Sequence, residues 1–256
     1  MSTTKPSPEL LAVATVQGET RKAIRMLVVN PNSSQSITQS LIDLFRASPP
    51  AAHVTLSFFT GSTDCPKSID DDEGCHSSAR TCLLLLLPAV QAHQYDAYLV
   101  ACYSEHPLPN LLRAASGNSI PCIGIFEASI LHALAKTGPD EKFGIITTGQ
   151  VWESLLTNAL HNFLGVSGTS RFAGVATTGY NAVELHDMPQ TEVYAKIGSG
   201  ARLLVEERGA RVICLGCAGM VGMEAAIREG LGSQWKDKIQ IIDGVQAGVS
   251  ILSGLA

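Results

Sequence analysis

Leu99-Val100-Ala101-Cys102-Tyr103-Ser104-Glu105-His106-Pro107 and Val212-Ile213-Cys214-Leu215-Gly216-Cys217-Ala218-Gly219-Met220 are the two stretches whose reading decides the fold. Each is a short apolar run that stops at a cysteine and gives way to polar or small residues. Neither run alternates apolar with polar positions, so both faces of the strand are predicted to be covered, as in a parallel sheet flanked by helices. The two cysteines lie 115 residues apart, and two further landmarks recur at almost the same interval. Thr147 follows Asn30 by 117 residues, and Thr178-Gly179 follows Thr60-Gly61 by 118. A repeated interval of this kind points to an internal duplication, each half being a small doubly wound α/β domain.

Reading outward, Met26 to Val29 is predicted as a buried strand and Asn30-Pro31-Asn32-Ser33-Ser34 as a polar turn. Ile37, Leu41, Leu44 and Phe45 then recur at helical spacing, Val54 to Phe59 reads as a second strand, and His76 to Val90 as a helix. In the other half Phe143 to Ile146 is a strand ending at Thr147-Thr148, Trp152 to Phe163 is helical, and Phe172 to Ala176 is again a strand. A helix follows from about Val193 to Glu207. The expected organisation is a disordered lead-in over 1–24, a first domain of 25–121 plus 240–256, and a second domain of 122–239. Asn30, Cys102, Thr147 and Cys217 all fall at carboxyl ends of parallel strands, the edge where open α/β sheets bind ligands.

The composition narrows the function. The chain has 256 residues, 45% hydrophobic and 16% charged, with 18 Lys plus Arg against 23 Asp plus Glu. A net charge of -5 without a basic stripe beyond Arg21, Lys22 and Arg25 argues against nucleic acid or an anionic membrane as partner. The longest apolar run, Cys82 to Val90, is far shorter than the roughly 18 residues that span a bilayer. Seven cysteines are an odd number for a disulfide framework, and no secretory cleavage site follows Leu10 to Val16. A reducing, cytoplasmic setting is expected.

Cys102 and Cys217 are therefore candidates for chemistry. Each is expected just ahead of a helix, where the dipole favours a thiolate by roughly 0.3–1 kcal/mol, and from a free pKa of about 8.5 this gives mixed protonation near neutrality. A thiolate facing a thiol across a carbon is the arrangement for two-base proton transfer at a stereocentre. Asn30, Asn32, Ser33, Thr147 and Thr148 offer neutral donors to a carbonyl or enolate oxygen, and Tyr103, Ser104, Ala218 and Gly219 bring the backbone N–H groups that follow each thiol. The other cysteines read as packing or loop residues: Cys82, Cys122 and Cys214 lie inside apolar segments, and Cys65 and Cys75 flank an acidic loop. His106 is near Cys102 in sequence, with a capping role as its ordinary reading. Asp70-Asp71-Asp72-Glu73 reads as a solvated loop. No metal-ligand pattern and no cofactor motif stands out.

At these residues the chain resembles the Asp/Glu/hydantoin racemase superfamily, and within it the hydantoin and allantoin racemases. The resemblance rests on Asn30-Pro31-Asn32-Ser33, Pro66-x-Ser68-Ile69, Ala101-Cys102, Pro121-x-Ile123-Gly124-Ile125-x-Glu127-Ala128, Thr147-Thr148, Leu215-Gly216-Cys217-Ala218-Gly219-Met220 and Ile242-Asp243-Gly244. It implies cofactor-independent racemisation by Cys102 and Cys217 in a cleft between two Rossmann-like domains, and a C-terminal helix over Gly244 to Leu255 that returns to the first domain. Amino-acid racemases of the superfamily carry Cys-Asn-Thr and Cys-Thr-His where this chain has Cys102-Tyr103-Ser104 and Cys217-Ala218-Gly219. That difference favours a hydantoin ring, with Gly219 leaving space for it. The chain departs from many bacterial hydantoin racemases in lacking an Asp-Pro pair after the first cysteine. The expectation is a homo-oligomeric racemase of allantoin or 5-substituted hydantoins. The alternatives are an amino-acid racemase, a small-diacid isomerase or decarboxylase, and a non-catalytic small-molecule sensor.

Overall fold

A computed structural model describes residues 22–256. The expected lead-in falls, up to residue 21, outside the described residues; the first strand begins at Ile24, one residue before the expected start.

The first half runs β1 (Ile24–Asn30), α1 (Gln35–Ala47), β2 (Val54–Thr60), α2 (Asp72–Gln91), β3 (Ala97–Val100), α3 (Leu108–Ala115) and β4 (Cys122–Gly124), followed by α4 (Ile125–Lys136). The second runs β5 (Lys142–Thr147), α5 (Val151–Leu164), β6 (Phe172–Thr177), α6 (Glu184–Asp187), α7 (Gln190–Arg202), β7 (Ala210–Leu215), α8 (Glu224–Trp235) and β8 (Gln240–Asp243), followed by α9 (Gly244–Leu255). Each half holds one parallel sheet, ordered β2-β1-β3-β4 and β6-β5-β7-β8. The two orders are the same once the numbering is shifted by four. In both, the chain reverses direction of winding beside the first strand of the half, which places the ligand edge at the ends of β1, β3, β5 and β7.

The strand sequences explain the layering. Successive side chains point to opposite faces. Met26 and Val28 enter a core that also contains Leu99, Phe126, Ile145, Cys214 and Val249, so this core is common to both sheets. Leu27 and Val29 enter a separate core under α2 and α3, and Ile146, Ile213 and Leu215 enter another under α7 and α8. Both faces of each sheet are buried, which is why the runs are continuously apolar.

The halves exchange their last helices. After β4 the chain crosses over, and α4 packs on β7 and on α9; after β8 it crosses back, and α9 packs on β3. Gly248 lets α9 lie directly against Leu99, since a Cβ there would collide with the Leu99 side chain. The C-terminal helix therefore returns to the first sheet as the resemblance implied. The crossovers follow β4 and β8, a few residues beyond the expected boundaries at 121/122 and 239/240. The cause is that each linker adds one more strand to the sheet it leaves.

The repeat can be read from hydrogen bonds. Gly61 N–H donates to Asn30 O and Thr178 N–H to Thr147 O, both at 2.9 Å, while Ala101 N–H donates to Val29 O (2.8 Å) and Gly216 N–H to Ile146 O (2.7 Å). Gly61 therefore matches Thr178, and Thr60 matches Thr177 rather than Thr178, a one-residue correction to the sequence landmark.

Candidate active site

Four strand-end turns meet at one cleft between the halves. It is lined by Asn32, Ile37, Ile69, Ala101, Cys102, Tyr103, Thr147, Thr148, Trp152, Ala182, Gly216, Cys217, Ala218 and Gly219. Both candidate cysteines thus face the same space, each half-buried. The free volume is about 30 Å³, room for little more than water.

The polar groups sort by what they already bond. Asn32 accepts Ser34 N–H on Oδ1 (2.9 Å), which fixes the amide orientation and leaves its NH2 group for a ligand. Thr148 has a hydroxyl with no hydrogen bond among the described residues. Thr147 instead donates its hydroxyl to Gly216 O (2.5 Å), and Tyr103 spends its hydroxyl on Ser129 Oγ (2.6 Å) while its ring packs edge-on to Phe126. Two expected ligand contacts do not reach the cleft. Asn30 is fully buried and donates to Ser34 O and Thr38 Oγ1, both at 3.0 Å, and Ser33 donates to Cys65 O at 3.0 Å. Both hold the turn rather than face its contents, because a tight turn that starts a helix consumes its own polar side chains. Ser104 does not line the cleft either; it stands behind Cys102.

The thiols are held differently. Cys217 Sγ accepts Gly219 N–H at 3.3 Å, at the start of a three-residue 3-10 turn. Cys102 lies well ahead of the first residue of α3, Leu108, and its sulfur is 3.4 Å from Ser104 Oγ. The expected helix-dipole stabilisation of both thiolates therefore does not apply: one thiol meets only a single short turn and the other none. At Cys217 burial dominates instead. It pushes Cys217 up to about 11, against the opposing pull of the Gly219 N–H. Cys102 is raised well above the ordinary thiol range, first by its hydrogen bond with Cys75 and then by burial.

Cys75 was not read as part of the site. It is not in a loop but in the first turns of α2, whose Asp71 cap accepts Gly74 N–H (2.7 Å), and the acidic run Asp71-Asp72-Glu73 is the start of that helix. Its thiol is buried and donates to Ser104 Oγ at 3.3 Å. Its pKa is lowered, chiefly by the hydrogen bond with Cys102. The ligand atoms of Cys75, Cys102 and His106 lie within 4.8 Å of one another, a spacing a metal ion could use. The histidine argues otherwise. Its Nδ1 accepts Leu108 N–H (3.2 Å), so the ring proton sits on Nε2, which faces Ser78 Oγ at 3.0 Å. Burial pushes His106 down to about 3, so the ring is neutral.

Four apolar wall residues were also not foreseen as site residues. Ile37 and Trp152 open the helices after the first turn of each half, and Ile69 and Ala182 stand in the loops after β2 and β6. Their matched positions in the two halves are a signal that the repeat could have supplied. Gly219 leaves less space than expected: a Cβ there would sit 3.0 Å from Ala182 O and 3.5 Å from both Cys217 Sγ and His186 Nε2. Its missing side chain admits the Ala182 loop. Glu127 lies outside this cleft, in a cavity of about 510 Å³ on the far side of the Cys102 loop, and burial raises it to about 7.

Paired parallel-sheet domains with a cysteine from each at a shared cleft define a class of enzyme, the racemases and related isomerases. The chain belongs to the Asp/Glu/Hydantoin racemase family, whose profile matches residues 26–252. An uncharacterized protein of Schizosaccharomyces pombe is 40% identical over 91% of this chain and 92% of its own. The hydantoin racemase of Paenarthrobacter aurescens is 28% identical over 91% of each chain. Among solved structures, allantoin racemase from Pseudomonas fluorescens superposes with a TM-score of 0.73 at 25% identity, covering 91% of this chain and 90% of that one. Glutamate racemase RacE1 from Bacillus anthracis, at 18% identity and a TM-score of 0.60 over 91% of this chain and 81% of that one, shares the fold. The chain is an isomerase of the racemase type. Among the described residues no helix is long and apolar enough to cross a membrane.

Proposed function

We propose that the protein racemises hydantoin-type substrates at C5, with allantoin preferred, by proton transfer between Cys102 and Cys217. The observation that carries this reading is the convergence of the two thiols, one from each repeat, on a single narrow cleft. The C5 hydrogen, flanked by a carbonyl and a ring nitrogen, is acidic enough for a thiolate. One sulfur takes it from one face while the other delivers a proton to the opposite face, and the roles exchange with the hand of the substrate. The Asn32 NH2 group, the Thr148 hydroxyl and the backbone N–H groups after each cysteine are suited to the carbonyl oxygen as it gains charge. Those neutral donors suit an imide ring, and Tyr103-Ser104 and Ala218-Gly219 stand where the amino-acid racemases carry Asn-Thr and Thr-His. The named activities of the hydantoin and allantoin racemases it resembles point the same way. The chemistry needs no cofactor, and seven free thiols suit a reducing, cytoplasmic setting. A homo-oligomer is part of the same reading.

The test is circular dichroism followed over time on single enantiomers of allantoin and of 5-substituted hydantoins. The signal should decay to zero with both starting hands and fastest for allantoin. A stable signal across the panel, or decay only on L-glutamate or L-aspartate, would overturn the assignment.

A further inference from the structure

Cys102 and Cys217 occupy matched positions, yet among the described residues only Cys102 is backed by hydrogen-bonding side chains that carry a proton. Ser104 Oγ lies between two thiols, 3.3 Å from Cys75 Sγ and 3.4 Å from Cys102 Sγ. Behind Cys75 and Ser104 is a second hollow of about 40 Å³, enough for water, lined also by Asp72, Glu105 and Trp152. The buried end of this chain is thus the reactive sulfur, and its other end approaches solvent beside two carboxylates.

We infer that Cys75 is a positioning residue that exchanges a proton with Cys102 through Ser104, a role that rests on the two-thiol reading of the cleft. In one direction the Cys102 S–H bond breaks, its proton joins Ser104 Oγ, and the hydroxyl proton of Ser104 passes to the Cys75 thiolate. Cys102 is then the thiolate that faces the substrate, and Cys75 is a neutral thiol. In the other direction Cys75 donates to Ser104, Ser104 donates to Cys102, and the charge returns to Cys75. No atom leaves the three side chains, and the negative charge is conserved. The two sulfurs titrate as one system, with one proton shared between them. The opposite directions of their shifts agree with this: Cys75 is lowered and Cys102 raised, each chiefly through the other. The charged and titratable groups around the chain are Asp72, His76 and Glu105 at the solvent end, neutral His106 beside Cys75, and Cys217 across the cleft. Among the described residues Cys217 has no such side-chain partner; its sulfur accepts the Gly219 N–H.

The inference can be tested without any substrate. Cys75→Ser keeps the size of the side chain, but its hydroxyl cannot hold the charge. The pH dependence of iodoacetamide alkylation, resolved for Cys102 and Cys217 by peptide mass spectrometry, is compared with wild type. At pH 7.5 the Cys102 rate should rise about tenfold for each unit by which its titration moves down, because Cys75 is the neighbour that raises it. The Cys217 profile should stay in place, which also reports a folded cleft. A Cys102 profile in Cys75→Ser that matches wild type, or one moved to higher pH, would overturn the inference. Loss of racemisation on every hydantoin would overturn the proposed function and leave this result standing. Where racemisation is seen, the acid limb of kcat/KM should move to lower pH with the alkylation profile; a uniformly lowered profile contradicts the relay.

Discussion

Thr147 donates its side-chain hydroxyl to the carbonyl oxygen of Gly216 at 2.5 Å, so the last residue of β5 holds the turn that delivers Cys217. A Cβ at Gly216 would sit 2.7 Å from Ile146 O, so glycine is what lets the two strand ends come this close. Asn30, the matching residue of the first half, turns instead to its own helix, bonding Ser34 O and Thr38 Oγ1. Thr147→Val keeps the shape and removes the bond. It should cost about 1 kcal/mol of stability and lower kcat about tenfold, with little change in KM, through a Cys217 turn that is no longer fixed. Urea unfolding and steady-state polarimetry check the two effects; an unchanged kcat would show that the turn holds its position without Thr147.

Asn32 holds its own turn and, in the proposed reaction, faces the ligand, and the two roles can be separated. Asn32→Asp keeps the oxygen that accepts Ser34 N–H, so the turn should survive, with a lowered melting temperature at neutral pH from the buried carboxylate. The NH2 donor is replaced by a negative charge next to a developing oxyanion, and kcat/KM should fall by about 10²-fold or more. A variant with wild-type kcat/KM would remove Asn32 from substrate binding.

Glu127 gives the protein a pH-dependent stability. Burial raises its folded-state pKa to about 7 from an unfolded value near 4.5. A carboxyl with a raised folded pKa stabilises the fold while protonated, and that contribution is lost as pH climbs between the two values. Glu127→Gln should therefore be more stable than wild type at pH 8, by roughly 1–3 kcal/mol, and close to it at pH 4.5. Denaturant titrations at both pH values measure this directly, and a pH-independent difference would mean that Glu127 titrates alike in the folded and unfolded chain.

The α7–α8 crossing is closed by two glycines. A Cβ on Gly198 would sit 2.8 Å from the Cα of Gly230, with backbone rather than a flexible side chain in the way. Gly198→Ala should destabilise by about 1–3 kcal/mol, the usual cost of overpacking. A melting temperature equal to that of wild type would show that the helices part freely.

Much of the fold can be read along the chain because parallel strands buried on both faces are written as unbroken apolar runs. Val28 and Val29 or Leu99 and Val100 need no alternation when both neighbours are core. The interval between Asn30 and Thr147 survives for the same reason, since each ends a strand that must reach the same cleft. The return of α9 to the first sheet was implied by the family resemblance but not by periodicity. Helical spacing shows that a face is apolar and does not say which sheet it covers. At the site, Cys102 and Cys217 were legible as strand ends. Cys75 was not, because it reaches Ser104 only through the packing of α2 against the end of β3, a contact 29 residues apart in sequence. Asn30 and Ser33 were read as donors to a ligand, yet the turn uses those donors itself.

The central claim is that a thiol from each half works on one carbon. It is tested most directly by following exchange of the C5 hydrogen of allantoin in heavy water by proton magnetic resonance, for wild type, Cys102→Ser and Cys217→Ser. The account predicts C5 deuteration with racemisation in wild type and loss of racemisation by about 10³-fold or more in each variant, as expected where an essential acid or base is removed. A single-cysteine variant that still racemises at the wild-type rate would contradict it.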